Sequence, residues 1–241
     1  DLHSFPTRRS SDLHIVTSVA RAVGGGNRFA LGTDDGRIIP VAIEFTAGFE
    51  EEARRIVPTI TLGSPMQLTP TTEQIIRLAY QPTDRGTLTA ALTDQGRLWY
   101  AASSVDNTPV ALTGHGAEPV TALIFDSRGE TLSIGTVAGN LYHYDVREGV
   151  QPSLIEAISV APAGTSVTAL AYLIGDRSLV IGSSAGDVSV WMPVRQAQES
   201  SITRLRLIHQ FDAHPSPVTA ISSSLRDKRS EEHTSELQSP I

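Results

Sequence analysis

Gly182-Ser183-Ser184-Ala185-Gly186 has the Gly-x-Ser-x-Gly pattern of a serine nucleophile. In that chemistry Ser184 would sit on a sharp turn from a strand into a helix, which lifts its hydroxyl clear of the sheet to attack a carbonyl. The residues that follow, Val188 to Met192, read as a strand. The same five positions recur as Gly32-Thr33-Asp34-Asp35-Gly36 and Gly135-Thr136-Val137-Ala138-Gly139, with Asp34 and Val137 at the place of Ser184. A pattern that keeps its glycines and loses its serine is a hairpin turn. Ser184 is read as a turn residue.

The other chemistry-bearing residues are sparse. His14, His115, His143, His209 and His214 include no pair with the spacing of a helical zinc site. His115 and His214 are expected to bond turn backbone. Asp34-Asp35-Gly36 begins like a calcium loop but lacks the remaining oxygen ligands, so it reads as a hairpin turn. Gly24-Gly25-Gly26 opens no helix and makes no phosphate cradle. With no cysteine, disulfides, thiolate metal sites and thiol nucleophiles are excluded. The formal net charge of −7 leaves no electrostatic footprint for nucleic acid. No catalytic, cofactor-binding or metal residue is assigned, and the expectation is a binding module, not an enzyme.

The elements that carry these residues repeat. Val120-Thr121-Ala122-Leu123 returns as Val167-Thr168-Ala169-Leu170 and Val218-Thr219-Ala220-Ile221, and more loosely as Val16-Thr17-Ser18-Val19 and Ile75-Ile76-Arg77-Leu78. Successive copies lie 59, 45, 47 and 51 residues apart. Between Val120 and Val146 the pattern predicts three strands, Val120–Phe125, Leu132–Thr136 and Leu141–Val146, joined by turns at Asp126 to Glu130 and at Ala138-Gly139. After each turn glycine come one polar and one aliphatic residue: Arg37-Ile38, Arg97-Leu98, Asn140-Leu141, Asp187-Val188. A strand-only period of about 40–50 residues is the signature of an all-β propeller of four-stranded blades. Here it predicts about four blades and the start of another.

This pattern resembles the WD40-type propeller family. Gly114-His115 and Ala213-His214 stand where that family keeps a Gly-His dipeptide, and Tyr144-Asp145 stands for its Trp-Asp pair, while Trp191-Met192 lacks the Asp. Phe211 to Ile221 with Leu225 to Lys228, and Gly32 to Arg37, are similar to the extra propeller-like domain of long proteobacterial phosphate ABC-transporter permeases. That resemblance implies a non-catalytic domain with a regulatory or docking role in phosphate import. It would lie in the periplasm beside the bacterial inner membrane. Its partners would be the permease bundle, other transporter subunits or a phosphate-binding protein. The alternative is a soluble WD40-type protein-interaction scaffold.

Residues 1–13 and 229–241 lack the repeat and resemble translated sequencing adapters, so the propeller segment is read as 14–228. Within it Pro40, which cannot donate to a ladder, suggests an edge strand. Glu50-Glu51-Glu52-Ala53-Arg54-Arg55 reads as a solvated connection between blades, and the second unit is expected over about Ile56 to Ser104. Ile155 to Val160 and Ile202 to Phe211 are predicted outer strands, and a fifth unit opens at Val218.

Overall fold

The computed structural model describes residues 14–24, 26–50, 53–69, 73–103, 108–148, 151–173, 175–195 and 203–223. The adapter-like ends and Leu225 to Lys228 lie outside them. The first sheet holds β1 (Val16–Arg21), β2 (Arg28–Thr33), β3 (Arg37–Glu50) and β4 (Ala53–Leu62), with the short β5 (Met66–Gln67) on the start of β3. The second is β6 (Ile75–Thr83), β7 (Gly86–Thr93), β8 (Leu98–Ala102) and β9 (Val110–Ala111). The third is β10 (Val120–Phe125), β11 (Thr131–Thr136), β12 (Asn140–Asp145) and β13 (Ser153–Ser159). The fourth is β14 (Val167–Tyr172), β15 (Leu179–Ser183), β16 (Val188–Arg195) and β17 (Thr203–Gln210). Each is an antiparallel meander in sequence order, one blade per repeat. The expected strands of the third unit and both predicted outer strands are present.

Local chemistry sets the turns. At the end of β10, Asp126 Oδ1 accepts the amides of Glu130 at 2.7 Å and Thr131 at 3.2 Å, while Gly129 takes a φ of 66° that a β-carbon would strain. The core lies between blades, not within one. Leu88, Tyr100, Phe125, Leu132, Ile134 and Tyr144 bury one another between the second and third sheets. Similar clusters join the first to the second and the third to the fourth. Each fully buried aliphatic chain contributes about 1.5–3 kcal/mol, which explains why a lone meander needs neighbours.

One junction repeats around the array. Each inner strand carries a β-bulge at its second residue: Thr17, Ile76, Thr121 and Thr168. Thr17 Oγ1 donates to the carbonyl of Ile75 at 2.6 Å, and Thr121 Oγ1 to that of Val167 at 2.6 Å, the residue that opens the next blade. That reach requires the second strand to have no side chain in between. A β-carbon on Gly32 would stand 2.8 Å from Ile75 Cγ2, and one on Gly182 would stand 2.5 Å from Val218 Cγ1. The second blade departs from both columns together. Ile76 replaces the threonine and Leu92 the glycine, so this junction with the third blade is apolar, and a hydrogen bond between the two blades comes instead from Gln81 Nε2, which donates to Ser127 O at 2.8 Å.

The first blade differs from the sequence reading. Glu50 to Arg55 does not connect two blades; Glu50 and Ala53 are the paired ends of a long β3–β4 hairpin, and Ile56 to Leu62 belongs to the first sheet. The second unit accordingly starts at Ile75. Glu50, Ala53, Arg54 and Arg55 of the charged run are strand residues of this hairpin, held by ten cross-strand pairs rich in β-branched side chains. Pro40 is not on an edge strand, since β3 lies inside the sheet. It sits where the outer partner changes from β5 to β4, and its carbonyl accepts from Gly63 N at 2.8 Å, so its missing N–H faces that gap. The fifth unit is present only as Val218 hydrogen-bonded through its amide to Ser183 O at 3.1 Å; residues 211–223 form no strand.

Gly135, which packs under Val167, tests the junction. Gly135→Ala is expected to destabilise the chain by about 1–3 kcal/mol in urea unfolding. Gly48→Ala, with open space around it, should change stability by less than about 0.5 kcal/mol.

Candidate functional site

Strand starts and the hairpins joining second to third strands lie at one end of every blade. On the first blade His14 Nδ1 lies 3.1 Å from Asp35 Oδ2, Arg37 Nε is 2.9 Å from the same oxygen, and Arg37 Nη1 is 3.0 Å from His14 Nε2. His14, Asp34 and Asp35 offer oxygen and nitrogen atoms within 4.8 Å of one another, as a small cation site would. The Arg37 guanidinium already holds Asp35, and Asp34 Oδ1 accepts from Ile15 N at 3.0 Å. The cluster is a closed ion-pair network, in keeping with a hairpin turn.

The second and third blades repeat this contact with other residues. Glu73, nearly buried, pairs with Arg97. Glu118 accepts from Thr136 Oγ1 at 2.6 Å and Asn140 Nδ2 at 2.9 Å, bonds that hold its carboxyl below the usual range. In each case a residue two before the inner strand reaches the residue four after the Thr that ends the second strand. That column went unread in the sequence, although His14/Arg37, Glu73/Arg97 and Glu118/Asn140 keep one register in it.

Ser184 lies in the β15–β16 hairpin, where its Oγ accepts from Ser166 N at 2.9 Å and no helix follows. His214 donates its backbone N–H to Gly186 O at 2.9 Å, as expected of a turn residue. His115 does not bond backbone. Its buried Nδ1 has no partner, its ring stands edge-on to Tyr142 with centroids 6.4 Å apart, and burial pulls its pKa down. His209 packs edge-on against Phe211 on the outer strand of the fourth blade. Tyr144, at the place of the family's Trp, donates its hydroxyl to Thr113 O at 3.0 Å, while Asp145 pairs with Arg147. Among the described residues the five histidines do not converge.

At the opposite end, a groove of about 590 Å³ opens between the third and fourth blades. Its floor holds His143 and Tyr172. His143 Nδ1 lies 2.9 Å from Ser133 Oγ, which is 3.3 Å from the Tyr172 hydroxyl. Burial pulls His143 down to about 4 and pushes Tyr172 up to about 12. Ser133 and His143 resemble a nucleophile and base, but Ser133 is fully buried, so a substrate carbonyl has no access to it. Three of the rim carboxylates are engaged: Asp126 by turn amides, Asp145 by Arg147, Asp176 by Ser127. Ser133 and His143 are cross-strand partners within one blade, whereas Tyr172 comes from the next. Sequence could have flagged the pair by register; only blade packing supplies the tyrosine.

Along the array's axis the inner strands enclose a channel of about 550 Å³. Equivalent positions of all five repeats line it, from Thr17, Ser18 and Val19 to Thr219, Ala220 and Ile221, and Arg77 is the one charged side chain among these lining residues.

Solved structures share this arrangement. The chain superposes on the Cps50 (Swd1) β-propeller domain of Myceliophteria thermophila with a TM-score of 0.52 and 16% identity, over 81% of this chain and 57% of that one. The fold is a WD40-like β-propeller. Sqt1 of Chaetomium thermophilum, solved bound to the N-terminus of the ribosomal protein L10, gives 0.53 at 14% identity over 85% of this chain and 52% of that one. Apo AztD from Citrobacter koseri gives 0.52 at 13% identity over 84% and 47%. This propeller chain thus spans about half the length of the structures it matches. No protein-family profile matches the sequence. No curated protein matches it either.

The buried His143 makes the propeller acid-sensitive. Its folded pKa of about 4 lies below the ordinary 6.5, so between these values the unfolded chain binds a proton that the folded chain does not. Its contribution to stability is full above pH 6.5 and is lost as pH falls toward 4. His115 acts in the same direction. Urea unfolding across that range should give a shallower fall for His143→Gln than for the native sequence; parallel curves would remove His143 as the cause.

Proposed function

We propose that this propeller is a protein-interaction scaffold that takes a peptide segment at the mouth of its axial channel. The carrying observation is what that end leaves unengaged. His14, Glu73 and Glu118 are tied into the hairpins, while Ile15, Ile76 and Val137 are 42 to 66% exposed on the same end and Val19 is 62% exposed in the channel lining below them. With Arg77 in the channel, the mouth suits an apolar segment that carries a carboxylate. The Sqt1 propeller bound to the N-terminus of a ribosomal protein supports a peptide partner for this class of fold. The engaged carboxylates and buried Ser133 favour binding over catalysis.

Display of a random peptide library against the chain tests this. Acidic, apolar peptides should be enriched, and Val19→Asp with Arg77→Glu should reduce their binding about tenfold or more. Failure to enrich any sequence, or binding indifferent to both substitutions, would remove the channel mouth as the docking site.

The closer reading is an extramembrane domain of a phosphate ABC-transporter permease at a bacterial inner membrane. It rests on the likeness over Phe211 to Ile221, Leu225 to Lys228 and Gly32 to Arg37. No helix among the described residues is long and apolar enough to cross a membrane. The flanking gene sequence tests this reading: apolar spans of about 20 residues on both sides would support it, and further blades with a polar end would oppose it.

A further inference from the structure

Past Ile43, whose amide still donates to Asn27 O, the β3–β4 hairpin leaves the first blade as a two-stranded ribbon. Its register places Ile43, Phe45 and Ala47 opposite Ile60, Pro58 and Ile56, an apolar face that runs up to the exposed Arg54 near the tip. Phe45 is 57% exposed, Ile56 56%, Ile60 65% and Leu62 63%. The other face carries Glu44, Thr46, Arg55, Thr59 and Thr61 around Val57. A two-stranded ribbon is marginal in water by itself, and an amphipathic one is held by what covers its apolar side.

On the β4 side the face is what is open to a partner, because that edge is blocked. Gly63 donates inward to Pro40 O, so by strand alternation Pro58 turns its ring nitrogen outward. A strand added along β4 would meet no donor there. The face itself is self-complementary. Phe45 is a knob, and Ala47, two positions along the same row, is the adjacent hole. A two-fold axis between them sets Phe45 of each copy over Ala47 of the other. The face presents on the order of 500 Å² of apolar surface. Two copies together would remove on the order of 1,000 Å² from water, about where specific interfaces begin. The polar faces would point to solvent on both sides.

We propose that the hairpin is a homodimerisation element, in which two copies of this chain pack their apolar ribbon faces together. The contact is separate from the channel mouth, so it stands or falls independently of the peptide-binding reading.

Sedimentation velocity of the full chain from about 1 to 100 μM, the range of a small apolar interface, should show a monomer–dimer equilibrium. Phe45→Glu and Ile60→Glu should each weaken it about tenfold or more, whereas Thr59→Glu on the polar face should leave it unchanged. Both glutamates replace exposed side chains, and circular dichroism of each variant checks that the fold is retained. Because the chain has no cysteine, the register can be tested directly. Mixed Phe45→Cys and Ala47→Cys chains should form a heterodisulfide in preference to either homodisulfide. A native chain that stays monomeric throughout, or a dimer indifferent to Phe45→Glu, would overturn the proposal. So would a monomer that floats with phosphatidylcholine–phosphatidylglycerol vesicles, which would assign the face to lipid.

Discussion

Thr17 and Thr121 each send a side-chain proton out of their own blade to the carbonyl that opens the next, at 2.6 Å in both cases. The distance fixes how closely two sheets approach, and the glycine beside it removes the only atom that would keep them apart. A hydrogen bond of this kind contributes about 1 kcal/mol on its own. Its larger effect is to set the spacing at which Leu132, Ile134, Leu179 and Ile181 meet their neighbours and lose water. The bulge at the threonine makes this possible, since it places the hydroxyl between the next blade's carbonyl and the glycine carbonyl of its own, 3.2 Å away for Thr17 and 3.1 Å for Thr121. Where Ile76 and Leu92 replace threonine and glycine, both halves of the device go together, and side-chain packing with the Gln81 bond to Ser127 O joins the blades.

The same economy governs the polar groups. Buried carboxylates destabilise a fold unless paired or hydrogen-bonded, and here Glu118 and Asp126 are met by hydroxyl, amide or backbone donors, while Glu73 faces Arg97. Such groups hold hairpins to strand starts and have no freedom to exchange protons with a ligand. Binding capacity therefore falls to what the array leaves uncovered, the channel mouth at one end and the projecting ribbon at the side. These surfaces differ in kind. The mouth combines apolar side chains with one cation, whereas the ribbon's face is apolar up to Arg54 and its Pro58 opposes growth of the sheet along the β4 edge.

How much of this was legible in the chain depends on the range of the interaction. Strand spans in the third and fourth blades follow from period-two patterning and from turn residues such as Asp126 and Gly129, all local; the first three strands of the third blade stand within a residue of expectation, and β13 and β16 within two or three. Ser184 could be dismissed as a nucleophile because its neighbours recur without it. The β3–β4 hairpin was misread because Glu50 to Arg55 looks like any charged linker, and only the pairing of ten residues on either side makes it part of a hairpin. His115 was misjudged for a related reason, since the ring of Tyr142 that covers it belongs to a strand two turns later.

The sequence by itself determined the blade: its strands, its turns, its repeat, and the absence of thiol chemistry. Those are consequences of steric preference and side-chain alternation over a few residues. The tertiary structure alone decided which blades touch and through what. Tyr172 reaches Ser133 from the next blade, five repeats share one channel, and a ribbon longer than its blade leaves Phe45 in water. The physical reason is that burial is settled between blades, at separations of about 40–50 residues, where no local preference of the chain can specify which side chain will meet which.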